Sequence, residues 1–219
     1  MAIYDCFQYF NEDHIVDLRL NILNEYVDYF VISESTKTHQ GKDKKINFDI
    51  TKFSKFKHKI NFIVADYRGY GLSSGSPNKN NLHSDSKTIF SYVHSYLIEN
   101  NYLNKKIIMG RSLGSASASE IIFNQKFDID GCIIESGFGT ETPLMNILGI
   151  NPEDISYKAE DGFENLKKIS SYDGPLFIIH ADQDDIIPID EAKLIYNNSK
   201  SNQKELWVID NANHNNILM

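Results

Sequence analysis

Apolar residues come in short runs separated by amphipathic stretches, and this alternation persists along almost the whole chain. Residues 3–10 (IYDCFQYF) are rich in β-branched and aromatic types and read as a strand, after which Asn11, Glu12 and Asp13 supply a helix start. The helix carries Ile15, Val16, Leu18, Leu20, Ile22 and Leu23 to about Glu25, and Val27 to Ser33 (VDYFVIS) forms a second strand. Polar residues around Gly41 make 34–47 a loop. A short amphipathic helix is expected over 50–58. The run INFIVA, 60–65, is a third strand with almost no polar interruption, as suits a parallel strand covered on both faces.

The stretch that follows, DYRGYGLSSGSPNKNN, resembles a linker in composition. Its position says otherwise: it joins a buried strand to the helix 82–99, at the carboxyl edge of the sheet where open α/β proteins place their sites. The rhythm then repeats, with strands at 106–110, 130–135, 175–180 and 205–209 and helices at 113–123, about 159–169 and 189–196. Strands alternating with helices predict an α/β fold, a doubly wound and mainly parallel sheet within a single domain over 1–219.

Composition narrows the function classes. With 219 residues, 41% of them hydrophobic, the chain can bury a sizeable core without disulfides or metal. Its 22 Lys and Arg against 30 Asp and Glu give a net charge of -8, so no long-range field draws in polyanions and nucleic acid is not an expected partner. Lysines 42, 44, 45, 52, 55, 57 and 59 do cluster, but Phe53 and Phe56 interleave with them at helical spacing, which marks a solvated helix face. Cys6 and Cys132 lie far apart in apolar strands and are expected as buried, reduced thiols. The N-terminus lacks a basic-then-apolar leader and no apolar run approaches the roughly 18 residues of a bilayer span, so a cytoplasmic protein with no integral membrane segment is expected.

The sharpest local signal is Gly110-Arg111-Ser112-Leu113-Gly114, a G-x-S-x-G pentapeptide between a strand (KKIIM) and a helix rich in small residues (SASASEII). A serine at such a tight turn sits in a strained conformation, so its neighbours must be small. The turn lifts the hydroxyl clear of the sheet, where the backbone N–H of Leu113 can face a developing oxyanion. A serine hydroxyl becomes a useful nucleophile only when a base takes its proton, and that base needs an orienting carboxylate. The loops after two later strands supply both: HADQDDIIP holds Asp184, with Asp182 and Asp185 as rivals, and NANHNN holds His214. The order Ser112, Asp184, His214 is that of the α/β-hydrolase arrangement. His180, at a strand end, reads as a packed structural residue.

From about Ile60 to Met219 the chain resembles an α/β hydrolase of the group with a D-Y-R-G-Y-G-x-S-x-G-x-P loop, here Asp66 to Pro77. Four motifs occur in order: this loop, GRSLGSASA, IIESGFGT, and HADQDDIIP followed by NANHNNI. That group contains serine hydrolases of esters, thioesters or amides, protein depalmitoylases among them. The resemblance implies Ser112 as nucleophile, Asp184 as acid, His214 as base and Arg68 as a structural or pocket-edge residue, acting on a small-molecule or acylated substrate. Tyr67 and Arg68 are candidate pocket residues. In the segment 137–165, where a cap would sit, Phe138 and Leu144 are candidates to shape an acyl pocket, against ordinary packing over the sheet edge. No metal or organic cofactor is expected, because histidines and carboxylates do not cluster at ligand spacings and the G-x-G-x-x-G fingerprint is absent.

Residues 1–59 resemble something else, the N-terminal part of the glycosyltransferase family that includes the bisecting β-1,4-mannosyl-glycoprotein N-acetylglucosaminyltransferase. The elements carried are Y-D-C-F-x-x-F-N-E, the Leu18-Arg19-Leu20-Asn21 helix, V-D-Y-F-V-I-S-E-S and T-x-x-G-K. In that family the region begins a nucleotide-sugar-binding sheet, but the acidic D-x-D motif for metal and sugar diphosphate is not supplied. Asp182-Gln183-Asp184 has the spacing and belongs to the hydrolase acid loop.

This junction bears on mechanism. An α/β hydrolase takes its second oxyanion N–H from a loop after an earlier strand, usually an H-G sequence, and none precedes Ile60. Leu113 is therefore the one donor identified, and loss of the other lowers kcat by about 10² to 10³. One expectation is that Val27–Ser33 lies between strands 60–65 and 106–110, bringing Glu34, Ser35 and Thr36 near the serine. A second follows from the sequence stopping five residues past His214, without the family's closing helix: a mobile His214 and exposed apolar surface at Trp207, Ile217 and Leu218. The leading reading is a serine hydrolase of carboxylic esters or thioesters. The alternatives are an impaired hydrolase-like hybrid with a binding role only, and a nucleotide-sugar-binding glycosyltransferase remnant.

Overall fold

The computed structural model describes residues 4–9, 13–34, 45–61, 65–71, 73–102, 105–124 and 128–217. Backbone contacts divide the chain into two compact units, residues 1–105 and 106–219. Among the described residues the strands form two parallel sheets, one in each unit, and residues 62–64 of the expected third strand lie outside the described residues. The rhythm establishes that successive strands run parallel. Which strands exchange hydrogen bonds is decided by packing between distant segments.

In unit one, β1 (Tyr4–Tyr9) is followed by α1 (Asp13–Leu23), β2 (Tyr29–Glu34), a 3-10 segment (Ile50–Lys59), β3 (Ile60–Asn61) and α2 (Lys79–Glu99). The sheet order is β1-β2-β3. Both edges of β2 are therefore occupied, by β1 and by β3. That overturns the expected insertion of β2 between β3 and the strand starting near residue 106, and Ser35 and Thr36 lie outside the described residues. On α1, Val16 and Leu20 stand one turn apart and are buried, while Ile15, Leu18 and Ile22 remain exposed. They pack with Phe30, Ile32 and Phe56 in the core of the unit.

The stretch expected as an amphipathic α-helix is instead 3-10, broken at Phe53, whose φ is -117°. Three residues per turn align Ile50, Phe53 and Phe56 on one side, where i and i+3 eclipse. Phe53 and Phe56 are buried. The lysines are left on the other side: Lys52 pairs with Asp13 at 2.5 Å and Lys55 reaches Asn21 at 3.2 Å. The solvated basic face is thus partly neutralised by α1. Lys42 and Lys44 are outside the described residues.

In unit two, β4 (Ile107–Arg111), α3 (Gly114–Phe123), β5 (Gly131–Glu135), α4 (Thr142–Ile147), α5 (Asn165–Ser170), β6 (Leu176–Ala181), α6 (Ile189–Asn198) and β7 (Lys204–Ile209) follow one another. The sheet is parallel, in the order β4-β5-β6-β7. Residues 115–122 of α3 are buried all round, which explains a helix built from alanine and serine. Its partners include Cys132, Ile134, Ile169 and Ile178. Cys132 is a free thiol, and burial pushes its pKa up to about 12. The helix expected over 159–169 is split into a short 3-10 turn (Ala159–Asp161) and α5. Gly162 marks the break: a Cβ there would lie 1.9 Å from the Tyr157 hydroxyl and 2.4 Å from Glu141, so these two side chains close over a bare backbone.

Gly110 is the tightest point between β4 and α3. An added Cβ would meet the Gly114 carbonyl oxygen at 2.5 Å and the Ala118 methyl at 2.7 Å, contacts that demand backbone movement. Gly110→Ala is expected to destabilise unit two by about 1–3 kcal/mol. A lower urea midpoint measures this, and an unchanged midpoint would show that the turn has slack.

Candidate functional site

All three residues that the sequence nominated for the reaction lie in unit two, at the carboxyl ends of β4, β6 and β7. Ser112 follows β4 directly with φ +52°, the left-handed conformation that a side chain disfavours. Its N–H donates to the carbonyl of Glu135 at the end of β5 (2.9 Å), which holds the turn despite the strain. Leu113 stands at the N-cap position of α3, so its N–H belongs to the first turn, where amides lack partners within the helix. Its side chain is exposed.

Asp184 lies three residues past the end of β6. Its Oδ1 accepts the backbone N–H groups of Ile186 (3.0 Å) and Ile187 (2.8 Å), forming a turn around the carboxylate. Burial alone would raise its pKa, but the hydrogen bonds from His214, Ile187 and Ile186 prevail and hold it below the usual aspartate value. His180, expected as structural, is fully buried and donates from Nε2 to the Ile187 carbonyl at 2.7 Å. Burial lowers its pKa and favours the neutral ring. It thus braces the turn that carries Asp184. The rivals Asp182 and Asp185 are exposed.

His214 follows β7 in a turn rich in asparagine. The Asn213 N–H donates to Asn216 Oδ1 at 2.6 Å, and the Asn215 N–H donates to Asn213 Oδ1 at 2.9 Å. These local bonds explain the residue choice, since short amide side chains stand in for missing backbone partners. The turn is also tied to the Asp184 loop, because Gln183 N–H donates to the Ala212 carbonyl at 3.0 Å. His214 is itself 4% exposed. Its Nδ1 faces Asp184 Oδ2 at 2.8 Å and Oδ1 at 3.0 Å, and its Nε2 lies 3.0 Å from Ser112 Oγ. A carboxylate only accepts, so the ring proton resides on Nδ1 and Nε2 is left as the acceptor of the serine proton.

The expectation of a loosely held His214 is corrected by these contacts and by one more that the sequence reading missed: Arg111 Nη2 donates to the His214 carbonyl. Of the apolar surface expected nearby, Trp207 is exposed, 56%, with its ring edge-on to Phe177. Ile217 is buried against Ala181 and Ala212, and Leu218 is outside the described residues. Nothing local in the sequence marks Arg111 and its partner Glu135, because their roles arise only where β4 and β5 pair.

The remaining candidates are placed as follows. Phe138 is fully buried, edge-on to Phe163 at 6.0 Å, while Leu144 is half-buried on α4. Tyr67 and Arg68 belong to unit one. Arg68 is held by Asp85, through its N–H at 2.8 Å and its Nε at 2.7 Å, which gives it a structural task within the glycine-rich loop. Among the described residues no group of three or more His, Cys, Asp or Glu is arranged to hold a metal ion. None of their helices is long and apolar enough to cross a membrane.

A parallel sheet flanked by helices, with a strained serine after one strand and an acid and a histidine after later ones, is the α/β-hydrolase fold. Solved structures agree. A Paleococcus ferrophilus monoacylglycerol lipase matches with a TM-score of 0.53 and 14% identity, covering 84% of each chain. A Pyrococcus furiosus esterase matches with a TM-score of 0.51 and 22% identity over 76% of this chain and 66% of that one. At such identities the likeness is one of fold. By sequence, the chain is similar to alpha/beta hydrolase domain-containing protein 17C of Xenopus tropicalis, 28% identical over 159 residues, covering 72% of this chain and 47% of that protein. The chain thus spans about half the length of the curated relatives it matches. The model of glycosyltransferase family 17 matches residues 1–107. That match extends beyond the 59 residues whose motifs point to it and ends beside the boundary between the two units.

Proposed function

We propose that the protein is a serine hydrolase that cleaves carboxylic esters or thioesters through an acyl-enzyme. The observation that carries this reading is the unbroken hydrogen-bonded line Ser112–His214–Asp184. Ser112 Oγ attacks the acyl carbonyl while His214 Nε2 accepts its proton, and the proton then passes to the departing alkoxide or thiolate. Water, deprotonated by the same nitrogen, releases the acyl group and restores the serine. Asp184 keeps the ring proton on Nδ1 and stabilises the imidazolium between the two transfers. The Leu113 N–H is the proposed oxyanion donor and half-buried Leu144 the proposed acyl-side residue of unit two, whereas Phe138, fully buried, belongs to the core. The lipase and the esterase of like fold accord with an ester as substrate.

The test is labelling by a fluorophosphonate, which needs an activated serine and no knowledge of the substrate. Wild type is expected to form the covalent adduct at Ser112 and Ser112→Ala to form none. A folded wild type that stays unlabelled would overturn the reading. In that event the impaired, binding-only scaffold becomes the better account. One observation favours it: the glycosyltransferase match occupies the stretch before β4, from which α/β hydrolases draw their second oxyanion N–H.

A further inference from the structure

Arg111 precedes Ser112 and is the last residue of β4. The sheet register sets it directly beside Glu135, the last residue of β5. Its Nε donates to Glu135 Oε1 at 3.1 Å, and its Nη2 donates to the main-chain carbonyl of His214. The Glu135 side chain is 4% exposed, whereas that of Arg111 is 30% exposed. A carboxylate buried to that degree is costly unless it is paired, so Glu135 constrains where the guanidinium lies. The Glu135 carbonyl also accepts the Ser112 N–H, so one residue of β5 supports both the serine and the arginine.

We propose that Arg111 is a positioning residue for His214: Glu135 aims its guanidinium, and the guanidinium fixes the carbonyl of the histidine, so that the β4–β5 pair sets the distance between Ser112 and His214. Asp184 holds the ring from the β6 side through Nδ1, and the Gln183–Ala212 bond ties the start of the histidine turn to that same side. The Arg111 bond is the hold on the His214 main chain that comes from β4. The planar fork suits the task because two of its N–H groups can serve a carboxylate and a carbonyl together. The kinetic consequence rests on the serine-hydrolase reading, while the geometric one does not.

Two variants with two readouts, and a rescue experiment on a third variant, test this. Arg111→Lys keeps a cation for Glu135, but a single ammonium cannot span both acceptors. The double variant Arg111→Gln, Glu135→Gln removes the buried charge, so that folding does not depend on it. In both, with a retained melting transition, kcat on p-nitrophenyl acetate is expected to fall about 10- to 100-fold with KM changed by less than about twofold. Free guanidinium ion is expected to restore part of kcat in Arg111→Ala and to do nothing for wild type.

The second readout needs no turnover. The exchange-protected proton on His214 Nδ1, followed by NMR in uniformly ¹⁵N-labelled protein, is expected to broaden or vanish in both variants. Folded variants with the wild-type kcat and an unchanged Nδ1 proton would overturn the proposal. If wild type itself turns over no ester, it is the hydrolase reading that fails. The Nδ1 proton then decides the positioning role alone: its loss in Arg111→Lys supports that role and its persistence refutes it.

Discussion

His214→Ala is expected to lower kcat for ester hydrolysis by about four orders of magnitude or more while leaving the protein folded. The size follows from the roles on either side of the ring. Nε2, 3.0 Å from Ser112 Oγ, is the group that removes the serine proton, and without it the hydroxyl stays a poor nucleophile. The same nitrogen returns the proton to the leaving group, so both halves of the reaction lose their acid–base catalyst. Steady-state kinetics with p-nitrophenyl esters measure the loss, and the urea midpoint checks the fold. A variant that keeps more than about a tenth of the activity would mean that another base serves the serine, because a single general acid–base is worth at least about 10².

Asp184→Asn is expected to cost about 10³ to 10⁴ in kcat with KM little changed. The carboxamide presents both a donor and an acceptor, while the ring requires an acceptor opposite Nδ1. A histidine that finds the amide N–H there takes the other tautomer, with its proton on Nε2 facing Ser112. The same substitution alters stability against acid. Asp184 titrates below the ordinary aspartate value in the fold, where its hydrogen bonds outweigh burial, so ionising it stabilises the native state. That contribution is complete above the unfolded value of about 3.9 and disappears as pH falls through the lower folded value. Wild type is expected to lose stability across that acid window and Asp184→Asn to show a shallower decline, as read from urea midpoints at a series of pH values. Equal slopes would mean that another carboxylate governs acid unfolding.

These expectations concern residues that were legible before any coordinates. Ser112 announces itself because a strained strand-to-helix turn imposes small neighbours within two positions, a local demand that leaves a local pattern. The loops that hold Asp184 and His214 were found because each follows a strand of its own, and the parallel sheet brings such loops to one edge; the choice of Asp184 over Asp182 and Asp185 came from the family resemblance. Arg111 and Glu135 carry no comparable mark. An arginine in a pentapeptide and a glutamate after GCII acquire meaning only when β4 and β5 pair in the observed register. The lysine-rich segment shows the same limit on a smaller scale. Its apolar residues fit a helix, yet the segment is 3-10 and broken at Phe53, with Phe53 and Phe56 both buried.

By itself, the sequence determined the alternation of strands and helices, the change of family resemblance along the chain, and the serine, acid and histidine that the proposed chemistry needs. These depend on residue type and on spacing within single elements. Only the tertiary structure decided that the chain divides near residue 105, that β2 is enclosed by β1 and β3, and that His214 is held from two sides. Those features depend on contacts between residues as far apart as 111 and 214. The free energy of such contacts comes from burial, register and hydrogen-bond satisfaction across the sheet, and no short window of sequence contains both partners.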